Sequence, residues 1–221
     1  MAPTLDIRDD IAVLILGEDE NRFSPDHLDD LGDLLTEAED SARGLVTTGT
    51  GKFYSDGLDL EWLLSNPDRT EWYVERVQQL FIRVLTFPLP TIAAVNGHAF
   101  GAGAMLAIAH DFRVMRADRG FYCFPEVDIN IPFTTGMAAL IQAKVTPQTA
   151  IESMTTGRRY GGPDALAAGL VDAIADEDAV ISTALDRLKP LLDKDENTLA
   201  TIKKTMFRST VDALTEEGRT G

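Results

Sequence analysis

Three short segments of this 221-residue chain carry residue types that could do chemistry together. The first, Lys52-Phe53-Tyr54-Ser55-Asp56-Gly57-Leu58-Asp59-Leu60, reads as a loop feeding a helix. The second, Asn96-Gly97-His98-Ala99-Phe100-Gly101-Ala102-Gly103-Ala104-Met105-Leu106, reads as a turn feeding a helix. At a helix start the leading N–H groups lack an intrahelical partner, and the macrodipole adds partial positive charge. Two such ends facing one point form an oxyanion hole that needs no particular side chain. Gly57, Gly101, Ala102 and Gly103 are small enough to let a ligand approach the backbone. The third segment, Phe124-Pro125-Glu126-Val127-Asp128-Ile129, sets the acid Glu126 in an apolar patch after a strand. Such surroundings disfavour a charged carboxylate and raise its pKa toward the working pH, as a proton shuttle requires. Asp128 reads as a solvent-facing or capping residue, and Asp56 and Asp59 as acids flanking the first loop.

The elements that must position these segments alternate. Leu5 to Arg8 and Ile11 to Leu16 form a hairpin around Asp9-Asp10. Ser24-Pro25-Asp26 supplies an N-cap, a first-turn proline and an early acid, so a helix begins there. Leu28, Leu31, Leu34, Leu35 and Ala38 give it one buried face. Gly44 to Thr48 is a strand, and Arg69 to Leu85 a helix with Val77, Leu80, Phe81, Val84 and Leu85 inward. Thr91 to Val95 is a buried strand, Ala102 to Ala109 a small-residue helix, and Asp111 to Met115 and Phe121 to Phe124 are strands. Beyond Phe133 the signals are nearly all helical, so the fold class is α/β with a C-terminal helical region. We divide the chain at 145/146: a core over residues 1–145 and a helical region over 146–221.

Composition narrows the function. At 44% hydrophobic and 25% charged, the chain is of ordinary globular type. Its net charge of −16, from 36 acids against 20 bases, repels nucleic acid and anionic membranes. No run reaches the ~18 apolar residues of a membrane span, no basic-then-apolar leader opens the chain, and Cys123 is the single cysteine. A cytoplasmic protein with no nucleic-acid or membrane partner is expected. Phe53 stands where a Walker loop needs Ser or Thr after Lys52, and the first βα turn lacks the dinucleotide fingerprint. His27, His98 and His110 have no metal-ligand spacing, so no metal is expected; His98 is read as packing within its turn.

The segments resemble the enoyl-CoA hydratase/isomerase (crotonase) family. The resemblance runs from about Ala42 to Val171 and rests on Ile92 to Gly103, on His110-Asp111-Phe112-Arg113, on Tyr160-Gly161 with Ala165, and on Ala168-Gly169-Leu170-Val171-Asp172. It implies a crotonase-like spiral of ββα units whose helical C-terminal region packs into trimers, often dimers of trimers. It also implies that the oxyanion hole is the backbone N–H of Leu58 and of Ala102.

Hydratases of the family use two glutamates, but the first of those positions is Met105 here, and a thioether transfers no proton. Glu126 alone matches, as in the delta3,delta2-enoyl-CoA isomerases, and its Phe-Pro-Glu-Val-Asp-Ile setting looks like their plant-type peroxisomal branch. The resemblance therefore implies an isomerase acting on acyl-CoA thioesters, with coenzyme A as part of the substrate and no separate cofactor. Another crotonase reaction, hydration or decarboxylation, and a non-catalytic CoA-binding subunit are the alternatives. Trp62, Leu63, Trp72, Phe133 and Met137 are candidates to line an acyl tunnel beside Met105, and Lys52, Lys203 and Lys204 to meet the CoA phosphates.

Overall fold

The adjacent residues Asp9 and Asp10 sit at φ of 49° and 64°, which makes a two-residue hairpin turn of the kind that matches strand twist. It pairs β1 (Thr4–Arg8) antiparallel with β2 (Ile11–Ile15). The computed structural model describes residues 2–216. Helix α1 (Pro25–Ser41) follows, with the Ser24 hydroxyl accepting from the His27 N–H at 3.3 Å and Leu28, Leu31, Leu35 and Ala38 buried.

From there the chain runs three similar turns, each two strands and a helix. The first is β3 (Gly44–Thr48), β4 (Phe53–Ser55) and α2 (Leu60–Ser65), followed by the long α3 (Thr70–Leu85). The second is β5 (Thr91–Val95), β6 (His98–Phe100) and α4 (Ala102–Ala109). The third is β7 (Phe112–Arg116), β8 (Tyr122–Cys123) and α5 (Glu126–Ile129). First strands join a six-stranded sheet in the order β1-β2-β3-β5-β7-β9, and second strands a small sheet in the order β4-β6-β8. Every ladder between these strands after the opening hairpin is parallel. This is the expected spiral of ββα units.

Alternation in the large sheet divides two cores. Ile11 and Val13 of β2, with Val46, Ile92, Ala94 and Val114, face one side; Ala12 and Leu14 face the other. All eight residues of α4 are buried, and its small side chains let it fit against α3, α6 and the strands. Beyond α5 come α6 (Thr135–Lys144), α7 (Pro147–Thr156), α8 (Gly162–Ala167), β9 (Ala173–Ala175), α9 (Val180–Leu188), α10 (Glu196–Met206) and α11 (Arg208–Glu216).

Two differences from the sequence reading concern strands. Past Phe133, where the signals are nearly all helical, one short strand intervenes: β9 pairs with β7, and α9 covers the large sheet through Val180, Ala184 and Leu188. Both buried clusters draw residues from either side of position 145. Likewise β4 and β6 are strands where a loop and a turn were expected, and His98 lies on β6.

The family-like motifs prove to hold each other. Arg113 gives its Nε–H to Leu170 O at 2.9 Å and its Nη2 to Asp172 at 3.0 Å, while its backbone N–H meets the same carboxylate at 2.8 Å. His110 is fully buried between Thr47 and the Leu106 carbonyl, and burial lowers its pKa to about 3, so it is a neutral hydrogen-bonding group.

Candidate active site

Because β4, β6 and β8 are parallel neighbours, the chain leaves all three at one end of the small sheet. The residues just past those ends are Gly57-Leu58, Gly101-Ala102 and Glu126. Gly57 adopts φ 84°, and a Cβ there would lie 2.8 Å from both the Ala102 nitrogen and the Phe100 carbonyl. Gly101 caps α4 at φ 50° and ψ −122°, a region open essentially to glycine, and a Cβ there would lie 3.3 Å from Glu126 Oε1. The two loops and the acid are thus in mutual contact.

Three neighbouring amides are consumed. The Gly57 N–H donates to Ser55 Oγ at 3.1 Å, the Asp59 N–H to the Tyr73 hydroxyl at 2.8 Å, and the Gly101 N–H to Cys123 O at 3.0 Å. Between them the N–H groups of Leu58 and Ala102 meet no acceptor among the described residues. Both residues line one cavity of about 330 Å³, with Asp56, Glu126, Arg159 and the apolar side chains of Leu60, Phe100, Pro125, Ile129 and Ile131.

Glu126 is 8% exposed, and its Oε2 has no hydrogen-bond partner among the described residues. Burial pushes its pKa up to about 7, opposed only by its own backbone N–H. Arg159 shares the cavity wall but forms no ion pair with it among the described residues. Asp56, also on the wall, is raised by burial first and held back by Arg22, 3.6 Å away. Cys123 is buried with its thiol against Gly157 O, and burial lifts its pKa to about 11, so it carries no thiolate near neutrality. Its wall position is that of a small apolar group.

Other sequence candidates lie elsewhere. Lys203 is not at the cavity: it is 4% exposed, and its ammonium donates to Leu89 O at 2.8 Å and Asp111 Oδ2 at 2.6 Å. Those two acceptors hold its ammonium inside the protein, away from the cavity. Lys52 stands over the Phe53 ring at 5.2 Å, beside a separate hollow with Glu18 and Glu20. Gly103 serves chain packing, since a Cβ there would fall 2.3 Å from Ser55 O. Met105 is 1% exposed inside the core rather than on the cavity wall. Phe133 lines a second hollow that shares Glu126 and Ile131 with the first. Trp62 and Trp72 pack with their rings tilted by 41°, with Arg69 over the Trp72 ring at 3.8 Å. His98 packs among Phe53, Phe100 and Phe121. Among the described residues no group of three or more His, Cys, Asp or Glu could hold a metal.

Arg159 was not singled out from the sequence. It precedes Tyr160, whose backbone forms an antiparallel bridge with Tyr122 at the end of β8, and that bridge carries it to the wall. Nothing local encodes a bridge across 38 residues.

The ββα spiral is of the crotonase type, and this chain belongs to the enoyl-CoA hydratase/isomerase family, whose pattern matches residues 7–220. It is 39% identical over 217 residues to enoyl-CoA delta isomerase 3 of Arabidopsis thaliana, covering 92% of this chain and 91% of that one. It is 36% identical to the peroxisomal enoyl-CoA delta isomerase 2 of the same plant, at 92% and 91% coverage. The fold matches the crystal structure of human mitochondrial delta3-delta2-enoyl-CoA isomerase with a TM-score of 0.91 at 23% identity, over 99% of this chain and 88% of that one.

Proposed function

We propose that this chain converts 3-enoyl-CoA to 2-enoyl-CoA, with Glu126 moving one proton and the N–H groups of Leu58 and Ala102 holding the enolate oxygen. The observation that carries this is the Glu126 Oε2, buried without a hydrogen-bond partner among the described residues, on the wall shared with Gly101 and both amide-bearing residues. The Glu126 carboxylate takes a proton from C2, and the electron pair moves onto the thioester oxygen as the enolate. As the carbonyl re-forms, C4 takes the proton back from the same carboxylic acid, leaving the double bond between C2 and C3. A pKa near 7 suits both halves, because neither form is far from the other in energy at neutral pH. Hydration would need a second proton carrier, and Met105 is neither ionisable nor on the wall.

Coenzyme A enters as part of the substrate. Lys52, exposed beside the first loop, is proposed to meet its phosphates, along with Lys204 on α10. Trimeric assembly and residence in the cytoplasm belong to the same proposal, supported by the family and by the composition; no described helix is long and apolar enough to cross a membrane. With 3-hexenoyl-CoA the purified protein should raise the conjugated-enoyl absorbance, and Glu126→Gln should abolish the rise while CoA binding persists. Near-full activity in Glu126→Gln would remove Glu126 as the base. Light scattering of the purified protein reads the assembly.

A further inference from the structure

Arg158 and Arg159 are adjacent but differ in what they meet. Arg158 points its guanidinium at Glu152, 2.6 Å away, and at Asp164, 3.5 Å away. Arg159 has no carboxylate partner among the described residues, in a chain with 36 acids and 20 bases. Instead it lies on the cavity wall, its Cζ 5.7 Å from the Phe100 ring centroid. Its positive field reaches His98 and Cys123, whereas no charged neighbour figures in the shift of Glu126. The cation therefore shares the cavity wall with the acid without pairing to it among the described residues.

We infer that Arg159 receives a terminal carboxylate on the acyl chain, so that the substrate class includes 3-enoyl-CoA thioesters of dicarboxylic acids. This rests on the reading of the cavity as the acyl-CoA site. A guanidinium left unpaired in a largely apolar wall is a planar donor for carboxylate or phosphate. Lining separates the two anions. The cavity of about 330 Å³ is walled mostly by apolar side chains, among them Leu58, Leu60, Phe100, Ile129 and Ile131, and Arg159 is the single cation among its described lining residues. Apolar walls suit an acyl chain better than a nucleotide diphosphate, so the anion assigned to Arg159 is the acyl chain's own.

The test compares kcat/KM for 3-hexenoyl-CoA, 3-hexenedioyl-CoA and the phosphate-free pantetheine thioester of 3-hexenoic acid, in the wild type, Arg159→Met and Arg159→Lys. The expected result is a preference for the dicarboxylic substrate over the neutral one that falls by about tenfold or more in Arg159→Met, the value of one charged hydrogen-bonded pair, and partly returns in Arg159→Lys. An equal loss on both CoA substrates with none on the pantetheine thioester would assign Arg159 to a CoA phosphate and overturn the inference. An unchanged ratio in Arg159→Met would overturn it too. Wild-type turnover of neutral 3-hexenoyl-CoA reads the proposed isomerase activity separately, so the two failures are distinguishable.

Discussion

A first side-chain carbon on Gly57 would lie 2.8 Å from the backbone nitrogen of Ala102, although 45 residues separate them. The two amide-bearing loops therefore touch with no room for a methyl group, and φ of 84° adds backbone strain for any other residue. Gly57→Ala should push the loops apart and misplace one donor. The expected loss in kcat is about 10²–10³-fold, the range for losing one oxyanion contact, with a smaller effect on KM. Steady-state kinetics on 3-hexenoyl-CoA check it; retained kcat would mean the loops can part without harm.

Acid–base behaviour gives a second prediction. Glu126 must be ionised to take a proton, and burial raises it to about 7, so log(kcat/KM) should climb with unit slope and level off above that pH. A midpoint near the ordinary glutamate value would mean the carboxyl is hydrated in solution.

The same shift links to stability with a definite sign. The folded pKa of about 7 exceeds the ordinary glutamate value of 4.5, so the unfolded chain gives up this proton first. Stability is fully present below 4.5 and declines as pH rises toward and through 7. Glu126→Gln should consequently be more stable than the wild type at pH 8, by at most about 3 kcal/mol, with the gap closing in acid. Urea denaturation at both pH values measures it.

Lys203 and Asp111 supply a fourth test. Asp111→Ala leaves an ammonium 4% exposed with one carbonyl for company, and should cost about 3 kcal/mol or more. Lys203→Met paired with Asp111→Ala should cost less than the sum of the single changes. Additive losses would mean the pair does not couple.

Asp172→Ala tests the clasp on Arg113. It frees a guanidinium whose side chain is 5% exposed and removes the acceptor of the Arg113 N–H, so about 3 kcal/mol should be lost. Chemical denaturation reads the change, and a loss below about 0.5 kcal/mol would assign the hold to Leu170 O instead.

What could be read from residues alone follows length and periodicity. Helix α1 was legible because Ser24-Pro25 marks its start and leucines repeat along one face; α4 was legible as a run of small residues after a glycine turn. β4, β6 and β9 have three residues each, too few to show alternation, and they are strands because neighbours of matching register lie beside them. The glycines and Glu126 stood out locally, but their convergence depends on the parallel order of the small sheet. Lys203 misled for the opposite reason: a long basic side chain looks like surface, and its burial is decided by Asp111, 92 residues away.

The small sheet has a consequence for how such a site can change. β4 hands over one amide, β6 the other, and β8 the acid, each from a separate rung of the same ladder. A residue exchanged at the tip of one rung leaves the other two strands and their hydrogen bonds as they were. Under the proposed function, the pair of amides can be inherited intact while the acid is traded, so that new reactions of the same intermediate become reachable by changing a single side chain.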